Sequence, residues 1–120
     1  MDNTCPVDPN PETPWRLFLD DERFPVKPNC LIARSSMEAI QMLQFYGLPR
    51  HIDFDHDLGF LSTGIEDRGI EVVNFLWRLC EDGLLIFPRT FTYAVHSQNP
   101  EGAKNIRSKM DQLLKYYQED

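Results

Sequence analysis

The sequence predicts an α/β domain, a parallel sheet joined by right-handed crossovers with helices on its faces. Three observations carry that expectation. Short apolar runs break off sharply at polar residues, stretches with helical apolar spacing lie between them, and strand and helix patterns alternate through four rounds. At 120 residues the chain fits one domain with one modest core.

Residues 1–14 read as a separate N-terminal arm, since Pro6, Pro9, Pro11 and Pro14 stand among Asp, Asn and Glu with little apolar content to fold around. The domain proper then spans 15–120. Trp15-Arg16-Leu17-Phe18-Leu19 is a buried strand that stops at Asp20-Asp21-Glu22, with Pro25 and Pro28 close behind. Cys30-Leu31-Ile32-Ala33 is a second short strand. Ser35 or Ser36 can cap the next helix, whose Met37, Ile40, Leu43 and Leu48 roughly keep helical spacing; Gly47 and Pro49 close it. Residues 51–55 make the third strand. Gly59, Gly64 and Gly69 then punctuate a loop, and a helix beginning at Asp67 buries Ile70, Val73, Phe75, Leu76, Leu79 and Cys80 before Gly83 ends it. In Thr90-Phe91-Thr92-Tyr93-Ala94-Val95 the larger apolar residues alternate, as in a strand covered better on one face. Asn99 is a natural N-cap and Pro100 a natural first residue for a last helix that turns Ala103, Ile106, Met110, Leu113, Leu114 and Tyr117 inward.

Composition narrows the function. A formal net charge of -7 disfavours an extended grip on a nucleic-acid backbone, which needs clustered Lys and Arg. Small ligands and strand ends fit better. Cys5, Cys30 and Cys80 are odd in number and widely spaced, against a disulfide framework or a zinc knuckle. No long apolar run or secretory signal pattern appears, so the expected protein is cytoplasmic and not membrane-bound.

The stretch Ile52-Asp53-Phe54-Asp55-His56-Asp57-Leu58-Gly59 concentrates three acids and a histidine beside apolar residues. Massed charge in a small volume is costly unless a cation or a reaction uses it. In open α/β sheets ligands bind beyond the carboxyl ends of the strands, where strand order reverses. With order 2-1-3-4, Asp20 and Asp21 neighbour Asp55 and Asp57, which neighbour His96 and Ser97, so the three clusters face one pocket. Alternation alone does not assign Asp57. Asp53 can face a side of the sheet left uncovered, and His51 is expected to be solvated.

Two sets of motifs now suggest relatives. Leu17-Phe18-Leu19-Asp20-Asp21-Glu22, Asp55 and Gly69-Ile70-Glu71-Val72-Val73 resemble the receiver domain of response regulators. More specifically, Leu19-Asp20-Asp21-Glu22-Arg23, Phe54-Asp55-His56-Asp57-Leu58-Gly59 and His96-Ser97-Gln98-Asn99-Pro100-Glu101-Gly102-Ala103 look like the signature of the cyclic-phosphate-processing receiver-like family. The resemblance implies a three-layer flavodoxin- or receiver-like fold lacking the fifth strand, its phosphate-contacting lysine and the fifth helix. It also implies Asp20 and Asp21 as acids of a Mg²⁺ site, Asp55 as the phosphoacceptor position, Ser97 as the hydroxyl-bearing switch position, and processing of cyclic phosphates on nucleotides or RNA ends.

The residues support such chemistry independently. Oxygen ligation by Asp20, Asp21, Asp55 and Asp57 suits Mg²⁺ or Mn²⁺, and adding His56 or His96 shifts preference toward Mn²⁺. A metal-bound water can then attack a cyclic phosphodiester while His96 protonates the departing ribose oxygen. Ser97, Asn99 and the N–H groups of Glu101, Gly102 and Ala103 can hold phosphate oxygens at the start of the last helix, with Arg23 and Lys104 as supplementary cations. Expected catalytic residues are Asp55, His56 and His96. The expected partner is a phosphate-bearing small molecule or RNA terminus, with a homodimer through the fourth-strand edge as an additional expectation. Two competing readings are a truncated receiver phosphorylated on Asp55 and a non-catalytic module that binds a phospho-ligand or a protein.

Overall fold

The computed structural model describes residues 15–25 and 30–120, so the arm expected over 1–14 lies outside the described residues. Along the chain run β1 (Arg16–Leu19), β2 (Cys30–Ala33), α1 (Ser36–Tyr46), β3 (His51–Phe54), β4 (Asp57–Phe60), β5 (Glu66–Arg68), α2 (Ile70–Glu81), β6 (Thr92–Val95) and α3 (Pro100–Tyr117). Four strands pair in parallel in the order β2-β1-β3-β6. This is the expected order 2-1-3-4, with β6 as the fourth parallel strand and at one edge. The helix boundaries follow local chemistry. Ser35 caps α1 by accepting from the Glu38 N–H at 3.1 Å, and Asn99 caps α3 by accepting from Gly102 N–H at 3.0 Å, with Pro100 as the first helical residue.

Register decides which side of the sheet each residue serves. Leu17 lies beside Leu31 and Ile52, and Ile52 beside Tyr93, so Leu17, Leu19, Ile52, Phe54, Tyr93 and Val95 share one side. All join one apolar cluster with Ala39 and Leu43 of α1, Val72, Val73 and Leu76 of α2, and Ile106, Met110 and Leu113 of α3. The three helices therefore cover the same side. On the other side, Arg16, Phe18, His51, Asp53, Thr92 and Ala94 have no described helix against them, so the third layer is not supplied by the described residues. Asp53 does face the uncovered side, as expected. His51, by contrast, is not merely solvated: its ring bridges Thr92 Oγ1 at 2.7 Å and Asp53 Oδ1 at 3.2 Å, and only 14% of its side chain is exposed.

Three further departures have physical causes. The described part of the β1–β2 connection, residues 20–25, contains no helix, so the first of the four expected rounds lacks one and the described chain holds three helices. The expected loop over 56–69 contains an antiparallel hairpin, β4 with β5, closed by Leu61 N–H to Ile65 O at 2.8 Å. Asp67 lies in that hairpin rather than starting α2. Its buried carboxylate accepts from Ser36 N–H at 2.8 Å and from Ser36 Oγ–H at 2.6 Å, tying the hairpin to the start of α1. In α1, Ser36, Ala39 and Leu43 take inward positions while Met37 is 60% exposed. Among the described residues no helix is long and apolar enough to cross a membrane.

Candidate functional site

The site grows from the residues immediately after β1, β3 and β6. Asp20 N–H donates to Ala33 O at 3.1 Å and His96 N–H to Phe54 O at 2.9 Å, so sheet pairing continues one step and holds both side chains at the same height. One potential ligand atom from each of Asp20, Asp55 and His96 lies within 4.8 Å of the other two. The imidazole of His96 stacks on Phe18, ring centroids 4.9 Å apart and planes 6° apart, which seats the site toward the side away from the helices.

Asp20 is only 1% exposed and both oxygens of its carboxylate accept hydrogen bonds. Oδ1 accepts from Glu22 N–H and Arg23 N–H, both at 2.9 Å, and Oδ2 accepts from His96 Nε2 at 3.0 Å. A carboxylate only accepts, so this contact places a proton on Nε2, and in the neutral ring the lone pair is on Nδ1. Burial pushes the Asp20 carboxyl upward, yet the N–H donors of Arg23 and Glu22, together with His96, outweigh it and hold the group below its ordinary value. Asp55 moves the other way. Burial first, then the charges of Asp20 and Asp21, raise its carboxyl, with His96 opposing them.

A second grouping faces solvent. Asp21, Glu22, Arg23, Asp55, Asp57 and Gln98 line a cleft of about 180 Å³. The tight trio and the open cleft thus share Asp55 but divide the other expected ligands: Asp20 is sequestered behind, while Asp21 and Asp57 stand in front. Two carboxylates and an imidazole within 4.8 Å are a chemically suitable donor set for a divalent cation, and the repulsion that raises Asp55 is what such a cation would relieve.

His56 sits apart from the trio. Its Nδ1 donates to Asp57 Oδ1 at 2.9 Å, and its ring packs on the first turn of α3, where a Cβ on Gly102 would overlap the ring atoms. Gly102 therefore makes room for an imidazole, and its N–H is spent on Asn99 Oδ1. Asn99 Nδ2 approaches His56 at 3.5 Å, and Ser97 Oγ accepts from Asn99 N–H at 3.1 Å. Lys104 is exposed on α3. Sequence reasoning misses two supports. Phe18 is legible only as a strand residue, and Arg34, one position past β2, reaches back to donate from Nη1 to Asp20 O at 3.1 Å and to Arg23 O.

The opposite pKa directions give opposite pH dependences. The lowered Asp20 contributes stability above its unfolded-state value, and that contribution is lost as pH falls through its folded one; the ionised, raised Asp55 opposes folding at neutral pH, and that opposition fades as pH falls through its folded value. Without added metal, Asp55→Asn is expected to raise Tm by a few degrees at pH 7, an order-of-magnitude expectation, and to lose that advantage in acid. Divalent cation should raise the Tm of the parent but not of the variant. Calorimetry at two pH values checks both, and a lower Tm for Asp55→Asn at pH 7 would contradict the repulsion.

Among known families, the cyclic-phosphate processing receiver domain matches the chain over residues 15–112. No curated protein and no solved structure shows a significant match.

Proposed function

Because the chain belongs to the family of cyclic-phosphate processing receiver domains, we propose that it hydrolyses a cyclic phosphodiester on a nucleotide or RNA end with the help of a divalent cation. The observation that carries the reading is the convergence of Asp20, Asp55 and His96 from three adjacent strands to within 4.8 Å. The oxygen donors Asp20, Asp21, Asp55 and Asp57 suit Mg²⁺, and the neighbouring imidazole favours Mn²⁺ as the alternative. Such a cation, when bound, offsets charge on the phosphoryl oxygens and acidifies water.

The chain's own groups supply the rest. Asp55 presents a carboxylate both to the trio and to the cleft. Asp20 fixes His96 with its proton on Nε2, so proton exchange with the reaction takes place at Nδ1. As the attacking water forms its bond to phosphorus, His96 accepts its proton at Nδ1 and passes that proton to the ribose oxygen as the bond from that oxygen to phosphorus breaks. Arg23, in the cleft wall, and Ser97 hold phosphate oxygens. Asn99 and Gly102 act indirectly, by capping α3 and seating His56, which in turn holds Asp57 in place.

Incubation with 2′,3′-cyclic AMP and Mn²⁺, followed by chromatography, should yield a single phosphomonoester. Asp55→Asn should lose cation binding and turnover together, whereas His96→Ala should keep cation binding by calorimetry, through the carboxylates that remain, and lose on the order of 10²- to 10⁴-fold in turnover. Undiminished hydrolysis in both variants would sink the reading.

A further inference from the structure

The loop that carries Asp20 to Arg23 also carries an exposed aromatic ring. Phe24 is 74% exposed. Its ring is nonetheless held. The guanidinium of Arg34 lies 4.8 Å from the ring centroid, and the same guanidinium donates to the carbonyls of Asp20 and Arg23. The turn beneath is pinned by Asp20 Oδ1, which accepts from the N–H groups of Glu22 and Arg23. One side of the ring is therefore backed by a cation fixed to the site loop, and the ring remains largely open to solvent. Arg23 lines the acidic cleft, and Phe24 follows it directly, with Cα atoms about 3.8 Å apart.

We propose that Phe24, backed by Arg34, is a stacking platform for the base of a nucleotide whose phosphate lies in the cleft beside Arg23. This rests on the proposed phosphate site and names the group that holds the base of its substrate, because a glycerol phosphate offers no flat surface to the ring. A base stacks on an aromatic side chain regardless of sequence, so the platform selects for a nucleotide and not for one base.

Binding tests this without turnover. With Mn²⁺ present, 3′-AMP should bind Phe24→Ala about tenfold more weakly than the parent, and Phe24→Trp should restore affinity. Glycerol 2-phosphate should bind parent and Phe24→Ala alike, and Phe45→Ala, an exposed ring on α1, should change neither. Equal weakening toward both phosphates, unchanged 3′-AMP affinity in Phe24→Ala, or binding of neither compound by the parent would overturn the platform. Hydrolysis of 2′,3′-cyclic AMP by Phe24→Ala with unchanged KM would overturn the platform and leave the catalytic reading standing. Discriminating 3′-AMP binding with no hydrolysis would do the reverse.

Discussion

Asp20→Asn is expected to fold normally and to lose on the order of 10³- to 10⁴-fold in cyclic-phosphate turnover, by the tautomer argument known from acid–histidine pairs in hydrolases. The substitution is nearly isosteric. Its amide oxygen still accepts from the N–H groups of Glu22 and Arg23, so the turn at the end of β1 persists. What changes is the atom 3.0 Å from His96 Nε2, which turns from an acceptor into a donor. Two donors cannot face each other, so the imidazole moves its proton to Nδ1 and presents its lone pair to the introduced amide, the wrong way round for exchange with substrate. Nitrogen chemical shifts of His96 report that tautomer directly, whether or not a substrate is present. An unchanged tautomer together with unchanged turnover would show that Asp20 does not orient the ring.

Gly69→Ala should lower Tm by about 10 °C, corresponding to roughly 2–3 kcal/mol for a domain of this size, and should weaken cation binding with it. A Cβ at this position would overlap the carbonyl oxygen of Asp55 and crowd its carbonyl carbon, both backbone atoms that no side-chain rotation can move aside. The glycine is also hydrogen-bonded there, its N–H donating to His56 O at 2.8 Å. Relief therefore requires moving the segment that aims Asp55 and His56. Thermal melts and cation titrations of the variant test the two effects together, and a parent-like Tm would show that the segment yields without strain.

Much of this arrangement is legible in the residues alone, because it rests on local contrasts. Apolar runs that end at Asp20, Asp55 and His96 mark strand ends, and crossover rules bring those ends together across 76 residues of separation between Asp20 and His96. Asn99-Pro100 announces α3 for equally local reasons. What escapes sequence reading depends on distant partners. The hairpin over 57–68 looks like a glycine-punctuated loop because its strands pair only with each other, and Asp67 resembles a helix start when its actual role is to bond Ser36, 31 residues away. Gly102 suggests open access to phosphate, whereas the structure uses the missing side chain to admit His56. Among the acids, sequence separates strand end from strand interior but not Asp20, which lies buried and bonded, from Asp21, which faces solvent.

Because Asp20 and His96 each stand one residue past a four-residue strand, the site is indexed by odd and even positions. Deleting a single residue from β1 or β6 would swing its terminal polar group to the helix-covered half and put Asp21 or Ser97 in its place, while removing two would keep the facing and shorten the reach by about 6.6 Å. Natural length variation in these strands should therefore come in pairs.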